Sequence, residues 1–171
     1  MSTDIVLIIR GNRIAMTTTQ QPNSEPTTED LIEDGTSISY TEEIETVIAG
    51  LANDQKVMVG HGEAGHLWKF QYGSAEVFVQ LTGDTDDDTL AVWSPVLQLP
   101  AKNEEQLMRK LLEMNWLSTY ESHFAITESQ VVVLSNRTLT GITPGEISRI
   151  ITVVATIADD NDDDLQAEFS H

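Results

Sequence analysis

The segment 57-VMVGHGEAGHLWKF-70 combines three glycines in a GxGxxG spacing with the side chains of His61, Glu63 and His66. A dinucleotide-binding loop needs a strand before such glycines and a helix after them, because the pyrophosphate lies on the helix N-terminus. Here the glycines lead into HLWKFQY, whose alternation is typical of a strand. A kinase-like glycine loop is also excluded, because the chain lacks the HRD and DFG triplets and a VAIK-like lysine. We interpret the segment as a glycine-rich turn.

The same segment carries side chains that a transition metal can accept as ligands, namely two histidines and a glutamate. His61 and His66 are five residues apart, which matches neither the HExxH motif nor the zinc deaminase motif. The remaining ligands of the deaminase motif are cysteines, and this chain has none. We therefore predict no cofactor. A metal- or small-ligand-binding regulator that uses His61, Glu63 and His66 stays as an alternative.

Two acidic runs, 84-DTDDD-88 and 159-DDNDDD-164, resemble calcium-binding loops in composition. The first has Thr89 and Pro95 where an EF-hand loop has its glycine and its bidentate glutamate, and predicted strands flank it. The second also lacks the glycine. We predict that both runs are solvated acidic turns.

No set of residues in the sequence predicts catalysis. His123 lies near two serines and Glu121, but neighbours in sequence do not make a triad, and no GxSxG elbow is present. Since a phosphate loop and a metal set are also lacking, we predict that the protein is not an enzyme.

The overall charge narrows the range of partners. The chain of 171 residues has 9 Lys and Arg against 28 Asp and Glu, which gives a net charge of −19. This charge repels nucleic acid and anionic membranes, both of which bind clustered cations. The N-terminal apolar run from Ile5 to Ile9 is shorter than a signal-peptide core and follows Asp4. We predict a cytoplasmic protein that binds neither nucleic acid nor a membrane.

The pattern of apolar residues predicts a mobile N-terminal extension, residues 1–38, and one α+β domain with an acidic C-terminal end, residues 39–171. Residues 16–40 are rich in Thr, Gln, Pro, Ser and acids, so they offer little apolar surface to offset the cost of ordering. Whether residues 1–15 are native or an upstream extension stays open. The domain is predicted to follow the order α-β-β-β-α-β-β-α, with an antiparallel five-stranded sheet. Its predicted helices start near residues 40, 103 and 143, and its predicted strands are 66–73, 75–82, 89–98, 122–127 and 130–137.

The predicted strands also indicate a surface for a partner. Phe78 and Trp93 alternate onto the face opposite Val77 and Val79, and Lys69 joins them there. If the helices cover the other face, this one is a semi-apolar sheet surface open to a partner. Two alternatives stay open: a register slip of one residue, or a third helix that covers these side chains as core.

The C-terminal part of the chain resembles the YbjN-domain family, which is related to type III secretion chaperones. The resemblance is carried by 111-LLEMN-115, 123-HFAITESQVVVLSNRTL-139, 141-GITPGEI-147 and 158-AD-159. It implies the α+β fold and a small, commonly dimeric protein that binds peptides or proteins without a cofactor. Our hypothesis is a non-enzymatic chaperone-like or adaptor domain that binds a polypeptide partner, as a homodimer, through Lys69, Phe78 and Trp93. A further alternative is an acidic subunit that docks a basic partner in a fixed assembly.

Overall fold

Helices and strands alternate along the chain much as the apolar pattern predicts. In a computed structural model, the described residues are 39–52, 57–62 and 65–171, all within the compact unit Ile38–His171. The predicted extension 1–38 lies outside them. The elements are α1 (Tyr40–Leu51), β1 (Met58–Gly62), β2 (Gly65–Tyr72), β3 (Ala75–Leu81), β4 (Thr89–Gln98), α2 (Glu104–Leu117), β5 (His123–Thr127), β6 (Gln130–Thr138) and α3 (Pro144–Phe169).

The sheet is antiparallel and has six strands in the order β1-β2-β3-β4-β6-β5, so the prediction of five strands was wrong. The additional strand is β1, which lies in the segment interpreted above as a turn. Its sequence, MVGHG, has no regular apolar alternation. It is a strand because all five residues pair with β2, from Met58 opposite Lys69 to Gly62 opposite Gly65. Pairing with a neighbour, rather than local propensity, defines this strand.

The helix starts follow from short side-chain motifs. Thr143 caps α3 with the complete capping box that TPGE predicts, since its hydroxyl accepts from the Glu146 N–H and the Glu146 carboxylate accepts from the Thr143 N–H. Ser39 likewise accepts a hydrogen bond from Glu42 N–H at the start of α1. The helix start predicted near residue 103 is confirmed, but Asn103 at the cap position of α2 adopts a left-handed conformation and makes no side-chain cap bond.

All three helices pack on one face of the sheet. The core contains α1 residues such as Ile44 and α2 residues such as Leu107, together with most of the inner face of α3. From the strands it takes one alternating set, which includes Trp68 and Phe70 of β2, Val77 and Val79 of β3, and Leu90 and Val92 of β4. The alternation is broken in β4 at the register shift between Pro95 and Leu97, where Val96 and Leu97 are both part of the core. The helices therefore cover the face that carries Val77 and Val79, and the other alternating set points away from them.

The second acidic run is helical, which corrects its prediction as a turn. Residues 159–164 lie within α3, whose apolar stripe continues beyond them to the buried side chains of Leu165 and Phe169. Asp162 is 4% exposed and accepts a hydrogen bond of 2.9 Å from the Ser74 hydroxyl. Asp159 accepts bonds of 2.6 Å from the Ser74 N–H and 3.0 Å from its hydroxyl. The run thus holds the β2–β3 turn against α3.

The helices of the described residues are too short or too polar to cross a membrane.

Candidate partner-binding surfaces

The sheet surface that faces away from the helices, hereafter the open sheet face, is largely apolar at its centre. Its members alternate with the core residues of β2, β3, β4 and β6. They are Leu67, Lys69, Gln71, Glu76, Phe78, Gln80, Ala91, Trp93, Pro95, Val132, Leu134 and Asn136. No described helix packs against this set, so the third helix does not cover Phe78 and Trp93, and the register is the one that places them opposite Val77 and Val79.

The three residues that the sequence indicates as partner contacts lie side by side on the open sheet face. Lys69 of β2 pairs with Phe78 of β3, and Phe78 pairs with Trp93 of β4. The two rings are stacked, with centroids 5.3 Å apart and planes 7° from parallel. All three side chains are half-buried, so each keeps surface for further contact. Aromatic rings with one side exposed are typical anchors in protein interfaces.

Lys69 supports the aromatic pair and adds little charge to the surface. Its Nζ lies 5.4 Å from the centroid of the Phe78 ring, within cation–π range. The same Nζ is 2.6 Å from the Glu76 carboxylate, which neutralises it. The lysine stem therefore extends the apolar surface while its charge is locally balanced. Such a surface can bind an apolar or amphipathic segment.

The HGEAGH segment is only partly described. Residues His61 and His66 are cross-strand partners in the β1–β2 hairpin, and Glu63 lies outside the described residues. The ring of His66 stacks on Trp68, with centroids 5.5 Å apart and planes 14° from parallel. Across the described ranges, no group of three His, Asp or Glu side chains is arranged to hold a metal ion. The metal-binding alternative at His61, Glu63 and His66 therefore stays a hypothesis.

Helix α2 carries an exposed apolar row that the sequence reasoning missed. Its inner side buries Leu107 and Leu111, whereas Leu112 and Trp116 point to the opposite side and are 69% and 87% exposed. A shallow groove of about 500 Å³ runs along this side and is lined by Glu105, Arg109, Leu112, Glu113, Trp116 and Leu117. The i, i+4 spacing of Leu112 and Trp116, out of phase with Leu107 and Leu111, is the sequence signal for this row.

Asn115 fixes α2 to the edge of the sheet. Its Oδ1 accepts a hydrogen bond of 2.6 Å from the Phe124 N–H, and its Nδ2 donates one of 3.3 Å to the Phe124 carbonyl. A side-chain amide thereby takes the place of a neighbouring strand at this residue of β5, which is an edge strand. The same residue closes the LLEMN segment that carries the family resemblance, which gives that asparagine a physical role.

The first acidic run is a structured turn between β3 and β4. Asp88 accepts hydrogen bonds from the hydroxyl and N–H of Thr85 and from the hydroxyl of Thr82. The hydrogen bonds from Thr85, with a smaller part from Thr82, hold the pKa of Asp88 below its ordinary value. Asp84 and Asp87 are exposed at the same turn. Among the described residues, neither forms an ion pair, and they contribute to an acidic border at this end of the sheet.

Comparisons with known proteins give a family. No curated protein matches the chain. A solved structure, "Crystal Structure of the ExsC-ExsE Complex", is similar with a TM-score of 0.49 and 15% identity, over 71% of this chain and 92% of that chain. The model of the YbjN family, described as "Putative bacterial sensory transduction regulator", matches residues 41–167. This match spans the whole described fold from α1 into the last turns of α3, and the chain belongs to the YbjN family.

Proposed function

We propose that the protein is a non-enzymatic, chaperone-like or adaptor domain of the cytoplasm that binds a polypeptide partner and acts as a homodimer. The partner occupies the open sheet face, where Lys69, Phe78 and Trp93 form the central contact. The observation that carries this proposal is the stacked, half-exposed Phe78–Trp93 pair on a sheet face that no described helix covers.

The composition of the open sheet face supports an apolar or amphipathic polypeptide as the partner. Leu67, Pro95 and Leu134 are partly exposed around the aromatic pair, so the apolar area extends across four strands. Ala91 and Val132 lie on the same face but are themselves buried. A soluble domain retains an apolar surface of this extent mainly where a partner covers it. The net charge of −19 then keeps the loaded complex soluble, because like-charged complexes repel one another.

The test compares variants of the full chain. The protein is first used to capture partners from its native lysate at moderate salt, and a captured polypeptide is then purified for affinity measurements. The double variant Phe78→Ala/Trp93→Ala is compared with Ile126→Ala, which truncates an exposed apolar side chain on β5 away from this pair. We expect the double variant to lose at least about thirtyfold in affinity, which is the loss of about 2 kcal/mol that a single hot-spot residue causes, and Ile126→Ala to bind as the wild type does.

Two results would contradict the proposal. Unchanged affinity of a Phe78→Ala/Trp93→Ala protein that retains its circular dichroism spectrum places the partner elsewhere. Affinity that falls steeply with added salt, and does not respond to the aromatic substitutions, favours the alternative of an acidic subunit that docks a basic partner. An apolar face predicts a weak dependence on salt.

A further inference from the structure

The exposed row on α2 has features that fit a second copy of the same chain. Leu112 and Trp116 are 69% and 87% exposed, and Leu117 next to them is 77% exposed. A tryptophan exposed to this degree beside two exposed leucines is an apolar surface without a cover in the described structure. We propose that two copies pair in antiparallel fashion through this outward row of α2, here called the α2 row: Glu105, Arg109, Leu112, Glu113, Trp116 and Leu117. This inference rests on the homodimer of the proposed function.

The charges of the α2 row are self-complementary. Arg109 and Glu113 flank Leu112 on the outward side, one toward each end of the helix. Within the described part of the chain, neither residue belongs to an ion pair, whereas Lys110 on the other side is bound to Glu168 at 2.5 Å. In an antiparallel two-fold arrangement, Arg109 of each copy lies opposite Glu113 of the other, so the same ion pair forms twice across the axis.

Helix geometry allows this arrangement with Leu112 at the centre. With the axis at Leu112, Arg109 lies level with residue 115 of the second copy, about 3 Å along the helix from its Glu113 and about 1.5 Å from its Trp116. The guanidinium can then bind the Glu113 carboxylate and lie on the Trp116 ring of the second copy. Leu112 meets its own symmetry mate. The i, i+4 rows on both helices permit close packing of this kind.

The area available is appropriate for a dimer. Trp116, together with Tyr120 just beyond the helix, exposes on the order of 300–400 Å² in each copy, given the size of aromatic side chains. Two copies bury about twice that area, which is roughly half of what specific interfaces of about 1,200–2,000 Å² require. Leu112, Leu117 and the stems of Glu105, Arg109 and Glu113 supply further area from both copies.

The net charge sets the salt dependence of this interface. Two chains of −19 each repel one another at long range, and that repulsion is screened by salt. The contacts of the α2 row are short-range, with the apolar contacts of Leu112, Trp116 and Leu117 beside the Arg109–Glu113 pairs, so salt screens them less than the long-range repulsion. We therefore expect the dimer to become stronger, not weaker, as salt rises from low to moderate concentration.

The experiment exchanges charges across the proposed axis and measures mass in solution by sedimentation equilibrium of the full chain. Arg109→Glu places two glutamates opposite two glutamates, and Glu113→Arg places two arginines opposite two arginines. We expect each single variant to weaken the dimer at least tenfold. The double variant Arg109→Glu/Glu113→Arg restores it, and a mixture of the two single variants forms a heterodimer, because every pair across the axis is again opposite in sign.

Lys102→Glu is the matched control, because it changes the net charge as Arg109→Glu does. Lys102 is exposed, lies before α2, and is outside the α2 row. If Arg109→Glu weakens the dimer no more than Lys102→Glu does, the proposed interface is wrong, although a homodimer still exists. A wild-type chain that is monomeric at all concentrations overturns both the interface and the homodimer. Polypeptide binding at Phe78 and Trp93 is measured separately and survives either result.

Discussion

The contact between Asn115 and the Phe124 backbone gives a sharp prediction for stability. Substituting Asn115 with alanine leaves the N–H and C=O of Phe124 without partners at a residue that is only 6% exposed. An unsatisfied buried polar group costs about 1–3 kcal/mol, so two of them cost on the order of 2–6 kcal/mol. Alanine favours the helix by roughly 0.5 kcal/mol over asparagine. Partial access of water to the sheet edge reduces the cost further, and we expect a loss of about 2–4 kcal/mol in the free energy of unfolding.

The assay is urea unfolding of the full chain, followed by circular dichroism, with thermal melting as a second measure. A loss of about 2–4 kcal/mol corresponds to a decrease in Tm of roughly 5–15 °C for a domain of this size. Asn115→Asp keeps an acceptor for the Phe124 N–H but places a carboxylate oxygen against the Phe124 carbonyl. We therefore expect it to lose as much free energy of unfolding as Asn115→Ala does, or less. Asn136→Ala is the control, because Asn136 is an exposed residue of β6.

An Asn115→Ala variant that is no more destabilised than Asn136→Ala would refute this role of Asn115. In that case the Phe124 groups find water without cost, and the asparagine does not secure α2 to the sheet. A loss confined to the binding of partners, with unchanged unfolding, points instead to a contact role for Asn115.

Two further predictions concern the acidic runs. Asp159→Ala removes the carboxylate oxygen that accepts hydrogen bonds from both the N–H and the hydroxyl of Ser74, and it should cost about 1–3 kcal/mol in the free energy of unfolding. Asp160→Ala, at an exposed position, should change that free energy by less than about 0.5 kcal/mol, and equal effects in urea unfolding contradict the role of Asp159. The Thr85 hydrogen bonds lower the pKa of Asp88 below 3.8 in the folded state. The contribution of the ionised Asp88 to the free energy of unfolding is therefore complete above pH 3.8 and is lost as the pH falls through the lowered pKa of the folded state. The free energy of unfolding of Asp88→Asn should therefore decrease less steeply as the pH falls below 3.8 than that of Asp87→Asn. An identical pH dependence of the two variants counts against the hydrogen bonds seen at this turn.

The sequence predicted those elements whose signals are local. TPGE predicted the start of α3 because capping involves residues only three apart, and alternation of Val77 and Val79 with Phe78 predicted the faces of β3. The predicted strands 122–127 and 130–137 are confirmed as the paired strands β5 and β6. Glu128 and Ser129 between them adopt positive φ values, 47° and 65°, as a tight two-residue turn requires.

The features that sequence reasoning missed depend on distant residues. Strand β1 has glycines instead of alternating apolar residues, and only its pairing with β2 reveals it. The charges of the acidic run of α3 predict a solvated turn, whereas the run is helical. Leu165 and Phe169 continue the helical spacing beyond it, and Ser74, far away in sequence, provides a donor for the buried Asp162. The roles of Asn115 and the α2 row likewise follow from which side of α2 meets the sheet.

The positions of the two candidate surfaces make them compatible in one assembly. The inner side of α2 packs on the helix-covered face of the sheet, so the α2 row points away from the sheet. The open sheet face, with Phe78 and Trp93, lies on the far side of the same sheet. A dimer formed through α2 therefore leaves both open faces accessible, and it presents two binding sites to one partner or to two.

This arrangement predicts how dimerisation affects binding. A partner with two binding segments gains avidity from the dimer, because the second contact becomes intramolecular. A partner with one segment binds each face with the same affinity in the dimer and in the monomer. Arg109→Glu should therefore weaken the binding of a partner that has two segments and leave the affinity for a single excised segment unchanged. Calorimetric titration with the two-segment partner and with the single segment measures both affinities. A reduced affinity for the single segment would mean that pairing through α2 and the open sheet face are coupled, which the separation of the two surfaces argues against.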